Sequence, residues 1–127
     1  MKYFISIILI LFTLSCSLDR TNPLDPLVSN ISAPDRVTGI WIVTAGNNAT
    51  NITWDIMPNI DGYYIYRSYM YDGLYKLIKD EGDTSVFGYV DNEVEDILNV
   101  WYKMSAYIVI DGEKLEGYRS EPTTWNQ

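Results

Sequence analysis

The stretch Asp61-Gly62-Tyr63-Tyr64-Ile65-Tyr66-Arg67-Ser68 constrains this chain more than any other. A turn signal runs straight into a run of aromatic and β-branched side chains. Such residues fit a pleated, half-buried surface and are poor helix formers. The same grammar recurs on both sides. Residues 51–56 alternate, with Ile52, Trp54 and Ile56 on one face and Asn51, Thr53 and Asp55 on the other, the period of a strand with one buried side. Asp72-Gly73 and Asp111-Gly112 are two further hairpin signals, because Asp-Gly accepts the positive φ that tight hairpins require.

Extending this reading gives strands over 37–44, 51–56, 63–68, 74–78, 84–90 and 100–110, and a last one between Asp111-Gly112 and Pro122. Residues 79–83 close the fourth strand, and an acidic connection over 91–99 follows the fifth. In the third strand Tyr63 and Ile65 are expected inward, Tyr64 and Tyr66 outward. The sixth is the longest. Val100, Tyr102, Met104, Ala106, Ile108 and Ile110 share its inward face, and Trp101, Lys103, Ser105, Tyr107 and Val109 the outward one. Counting back from Asp111-Gly112 opposes Ile108 with Leu115 and Ala106 with Gly117, so the inward face stays apolar or small on both strands. Strand candidates with turns every ~8–12 residues specify an all-β sandwich. No βαβ alternation and no repeat at a solenoid period competes with it.

The N-terminus reads differently. Lys2 is followed by a mostly apolar run over 3–14, then Ser15 and Cys16. The run is short for a bilayer span and suits the core of a secretory signal. Cys16 is the only cysteine of the chain, so no intrachain disulfide can form. The segment resembles the lipobox of bacterial lipoproteins, although Thr13 is less usual at its position than Leu. That resemblance implies cleavage after residue 15, a lipid on Cys16, and membrane anchoring through the acyl chains. The other reading is an ordinary signal or an N-terminal helix with Cys16 incidental. Ser17, rather than Asp, leans toward the outer membrane or cell surface of a diderm bacterium over the inner membrane. Residues 16–33 contain Pro23 and Pro26 and read as a tether. The expected organisation is a signal peptide at 1–15, the lipidated tether at 16–33, the sandwich at 34–122 and a tail at 123–127.

Residues 34–122 resemble a fibronectin type III domain. The matching pieces are Pro34 and Val37, Trp54, Gly62-Tyr63-x-Ile65-x-Arg67-Ser68, Gly73-x-Tyr75, Tyr89-x-Asp91, Trp101-Tyr102-Lys103-Met104-Ser105-Ala106 and Ser120-Glu121-Pro122. The resemblance implies a seven-stranded, immunoglobulin-like sandwich in which the third, sixth and seventh strands share a sheet. Two departures stand out. Val100 occupies the place of the family's corner tyrosine, so that hydrogen bond is absent or rebuilt by a neighbour. The Asp111-Gly112-Glu113-Lys114 ribbon is longer than in many bacterial relatives. Some animal relatives bind integrins through this loop with Arg-Gly-Asp, a motif this chain lacks.

Composition narrows function. The net charge of −8 argues against nucleic acid and against electrostatic docking on anionic lipid. The chain has no His, which removes the commonest general base and metal ligand. Glu93, Glu95 and Asp96 are the nearest approach to paired carboxylates or a cation loop, but they fall on an expected solvated loop with no Ca²⁺-loop spacing. No catalytic residue, metal site or cofactor is expected. The outward residues Tyr64, Tyr66, Trp101, Lys103, Tyr107 and Tyr118 would form an aromatic stripe across one sheet, either a binding face for an envelope protein or polysaccharide or simply cross-strand packing. The Asp111–Lys114 loop is a second candidate. The expected role is a non-catalytic, lipid-anchored envelope protein that binds such a partner, with a structural spacer, or an accessory to a glycan-degrading system, as the alternatives.

Overall fold

The computed structural model describes residues 31–125, and the expected signal, Cys16 and most of the tether lie outside them. Seven strands follow one another: β1 (Trp41–Thr44), β2 (Thr50–Thr53), β3 (Gly62–Ser68), β4 (Lys76–Glu81), β5 (Gly88–Asp91), β6 (Trp101–Ile110) and β7 (Glu113–Glu116). They form a three-stranded sheet, β1-β2-β5, and a four-stranded sheet, β4-β3-β6-β7, with every pairing antiparallel.

The register is the expected one where it counts. Ile108 pairs with Leu115, and Gly117 N donates to Ala106 O over 2.8 Å. Asp111 and Gly112 take φ values of 50° and 82°, the left-handed pair that a two-residue hairpin needs. The buried cluster comprises Val37, Ile42, Ile52, Trp54, Tyr63, Ile65, Val94, Val100, Tyr102, Met104 and Ala106. Ile42, Ile52, Tyr63, Ile65, Tyr102, Met104 and Ala106 come from strands of both sheets, selected in β3 and β6 by alternation, and Val37, Trp54, Val94 and Val100 from segments outside the strands.

Three expectations are corrected. Ile56 is 55% exposed, because β2 ends at Thr53 and the chain then leaves the alternating path. Residues Lys79, Asp80 and Glu81 do not close the fourth strand but form its second half. An edge strand tolerates charges on its open side, and β4 is the edge beside β3. Leu74, placed in that strand by its sequence, is 97% exposed in the preceding loop.

Beyond β7 the chain stays with the sheet. Ser120 N donates to Met104 O, and Thr123 and Tyr102 exchange two backbone bonds. The first described residues enter at the opposite end of β6 from Trp101. Ser32, Ala33, Pro34 and Asp35 line a cavity of about 370 Å³ there with Ile60 and Ile108. Gly117 lies against the Pro34 carbonyl, where a Cβ would collide with backbone.

Candidate functional site

The outward face of the four-stranded sheet is covered by its own charged side chains. Tyr66 and Tyr107 were expected to face solvent but are 5% and 3% exposed. The Arg119 guanidinium lies 3.8 Å from the Tyr66 ring centroid, and Lys114 Nζ lies 4.3 Å from that of Tyr107 and 5.3 Å from that of Tyr64. Tyr64 stacks on Tyr107 with ring centroids 4.7 Å apart. The cations come from β7 and the segment after it, so the last strand folds a lid over its neighbours' aromatics. Each such contact is favourable because the ring face is electronegative.

Two carboxylates fasten this lid. Glu116 Oε1 accepts from Tyr66 Oη at 2.7 Å, Ser105 Oγ at 2.7 Å and Arg119 Nε at 3.1 Å. Burial works to raise the Glu116 carboxyl, but these three donors hold it below the ordinary value. The Tyr66 phenol is pushed up to about 12 by burial and by its bond to that carboxylate. Asp80 accepts from Tyr107 Oη at 2.8 Å and from Lys114 Nζ. Burial opposes ionisation of Asp80, and the two donors overcome it and lower its pKa. Lys114 is raised chiefly by its bond to Asp80.

The six residues of the expected stripe are therefore divided. Tyr66 and Tyr107 are structural, and Tyr64 is half-buried among them. Trp101 and Lys103 are half-buried at the far end of the sheet, and Tyr118 is 71% exposed. In the expected loop Asp111, Gly112 and Glu113 are exposed, whereas Lys114 turns back over the aromatics. The acidic 91–99 connection is pinned by Val94, which is 1% exposed. Its Asp96 bonds to Leu98 N and Asn99 Nδ2 within the loop. Among the described residues no group of three or more potential metal ligands converges.

What remains open is a cleft of about 290 Å³ at the Trp101 end of β6, lined by Tyr71, Asp72, Tyr75, Lys103, Glu121 and Pro122. In the sequence Tyr71 immediately precedes the Asp72-Gly73 hairpin signal. The local signal was the crowding of Tyr71, Asp72, Gly73 and Tyr75 into one hairpin. The hairpin is fixed from within. Ser68 Oγ donates to Met70 O at 3.0 Å and accepts from Met70 N at 3.2 Å. Gly73 N donates to Met70 O at 3.1 Å. A Cβ at Gly73 would lie 2.8 Å from both Ser68 Oγ and Met70 Cβ, so this tight closure needs glycine. Tyr75 Oη donates to Tyr71 O at 2.8 Å. Lys103 Nζ stands 4.7 Å from the Tyr75 ring centroid, and Trp101 meets Tyr71 edge-on at 5.1 Å.

Comparisons with known proteins agree with this architecture. No family model matches the sequence. An amylopullulanase of Thermoanaerobacter thermohydrosulfuricus is 29% identical over 102 residues, which is 76% of this chain and 7% of that enzyme. The chain thus spans only a small part of this relative's length. Among solved structures, an Fn3-like protein from Clostridium thermocellum matches at 24% identity and TM-score 0.52, covering 76% of this chain and 97% of that one. The FN5 domain of Drosophila Lar matches at 15% identity and TM-score 0.50, over 75% and 100%. The described residues have the fibronectin type III fold: an all-β sandwich of seven strands in two antiparallel sheets.

Proposed function

We propose that this chain is a lipid-anchored envelope protein whose fibronectin type III-like module binds a protein or polysaccharide partner without catalysing a reaction. The observation that carries the binding reading is the concentration of accessible aromatic surface at one end of the sheet. Tyr71 is 51% exposed, with half-buried Trp101 and Tyr75 beside the same hairpin. Tyr and Trp supply large contact area at low entropic cost. The amylopullulanase likeness supports a module of the kind that accompanies glycan-acting proteins. A structural spacer is the second reading, favoured by the use of Tyr66 and Tyr107 in internal packing.

Two experiments test the proposal. Residues 17–127 are presented to envelope extract and a polysaccharide panel, beside a variant with Tyr71, Tyr75 and Trp101 changed to Ser. Capture by the wild type alone supports the binding module, and capture of nothing leaves the spacer. For the anchor, Cys16→Ser should release the full chain from membranes and abolish acyl labelling. Unchanged membrane partition removes the lipid claim.

A further inference from the structure

We infer that the cleft between the β3–β4 hairpin and the start of β6 is a subsite for a neutral sugar ring of a polysaccharide. This inference rests on the binding-module reading and names its ligand. Asp72 and Glu121 line the cleft, which disfavours an anion. Lys103, on the same wall, holds its ammonium against the Tyr75 ring. A cationic ligand seeking that aromatic face would meet a like charge already in place.

A neutral ligand carrying both donors and acceptors suits a wall of mixed sign. The carboxylates accept hydrogen bonds and the ammonium donates them. A pyranose ring offers both, because its hydroxyls do either on neighbouring carbons. Its C–H face is apolar and matches the flat ring of Tyr71, which is braced edge-on by Trp101.

Size and stiffness point the same way. A cleft of about 290 Å³ lies at the small end of ligand sites and suits one ring rather than an extended ligand. Tyr71 and Tyr75 are tied by the bond from Tyr75 Oη to Tyr71 O, and Glu121 is held by Arg36 at 2.8 Å. The aromatic wall is thus in position before a ligand arrives, which lowers the ordering cost of binding.

The test is calorimetric titration of the full chain, held in zwitterionic micelles, with maltohexaose, cellohexaose and chitohexaose. The wild type should bind at least one. Tyr71→Ala should weaken that binding about tenfold or more, as loss of a central aromatic anchor does, and Lys103→Met should weaken it as well. Tyr118→Ala, outside the cleft, should bind like the wild type. Tyr71 is a loop residue, so unchanged thermal unfolding of Tyr71→Ala separates lost contact from lost fold. Binding of none of the three sugars, or equal binding by wild type and Tyr71→Ala, overturns the inference. If no sugar binds while an envelope protein is still captured, the sugar subsite falls and the binding module stands.

Discussion

The phenol of Tyr102 donates to Asp91 Oδ2 over 2.8 Å, with both residues closed to solvent. Its single proton being committed there, Thr50 Oγ1, 2.6 Å away, is the donor to Tyr102 Oη. Arg67 Nη1 reaches both Asp91 oxygens at 2.8 Å. Tyr102 and Arg67 belong to the four-stranded sheet, Thr50 and Asp91 to the other. One buried polar link therefore joins the two layers. Val100 fills the corner-tyrosine position with a fully buried side chain, and the buried phenol stands two residues later, bonded to side chains.

Truncations of this link should have unequal effects. Asp91→Ala strands the Arg67 charge, whose side chain is 13% exposed, and should cost about 3–5 kcal/mol. Tyr102→Phe leaves the charge pair intact and should cost about 1–2 kcal/mol. Urea unfolding of both variants measures the difference. Equal losses would mean that the carboxylate–guanidinium pair adds nothing beyond the phenol.

Acid should loosen the lid over the aromatic face. The folded-state pKa of Glu116 lies below its ordinary value of 4.5. Its contribution is therefore fully present above pH 4.5 and declines as pH falls through the depressed folded value. Glu116→Gln should be less stable than wild type at neutral pH, with the gap closing below pH 4.5. A gap that stays constant with pH would show that the carboxylate charge is not what matters.

Alkali acts in the opposite sense on Tyr66. Its phenol rises from 10.0 to about 12, so the stability it contributes is complete below pH 10 and is lost as pH rises toward 12. Tyr102 is also raised, mainly by burial. Ultraviolet titration should show a late-ionising class of tyrosines, reduced by one in Tyr66→Phe. Nitration read by mass spectrometry should mark Tyr71 and Tyr118 first and Tyr63, Tyr66 and Tyr102 last. Early nitration of Tyr66 would refute the lid.

Trp54 is 4% exposed, with its ring centroid 5.4 Å from that of Tyr63. Trp54→Ala should cost about 3–5 kcal/mol, much of the ~5–15 kcal/mol that holds a domain of this kind. Its buried indole N–H has no acceptor among the described residues, so Trp54→Phe, which deletes that group and keeps a ring, should cost clearly less. Denaturant midpoints rank the two, and a folded Trp54→Ala with an unshifted midpoint would contradict the core assignment.

Gly62 is a sharper test of packing. A Cβ there would strike Tyr107 Oη and stand 2.6 Å from the Glu81 carbonyl. Gly62→Ala should lower the thermal midpoint by several degrees, the usual consequence of about 1–3 kcal/mol of overpacking. An unchanged midpoint would mean that β3, β4 and β6 are less tightly joined than their contacts indicate.

Alternation in the sequence revealed which side of a strand each residue faces, so Tyr63, Ile65, Met104 and Ala106 were legible as core. It carried no information on what lies above the outward side. Tyr66 and Tyr107 were read as exposed because their covers, Arg119 and Lys114, lie 53 and 7 residues further along the chain and read as ordinary surface cations. The Arg67–Asp91–Tyr102–Thr50 link was invisible for the same reason: Tyr102 read as inward and Arg67 and Asp91 as pieces of a family pattern, but nothing along the chain pairs the four until the sheets face each other. Lys79, Asp80 and Glu81 read as a turn because composition cannot tell a charged loop from a charged edge.

The two ends of β6 give the domain a direction. The first described residues enter beside Ile108, while the Tyr71 cleft adjoins Trp101. Those positions are seven residues apart, roughly 23 Å along a strand. For a chain held to a surface through its N-terminal side, the domain itself becomes the stalk. The cleft then rides at the end of the domain that points away from that surface.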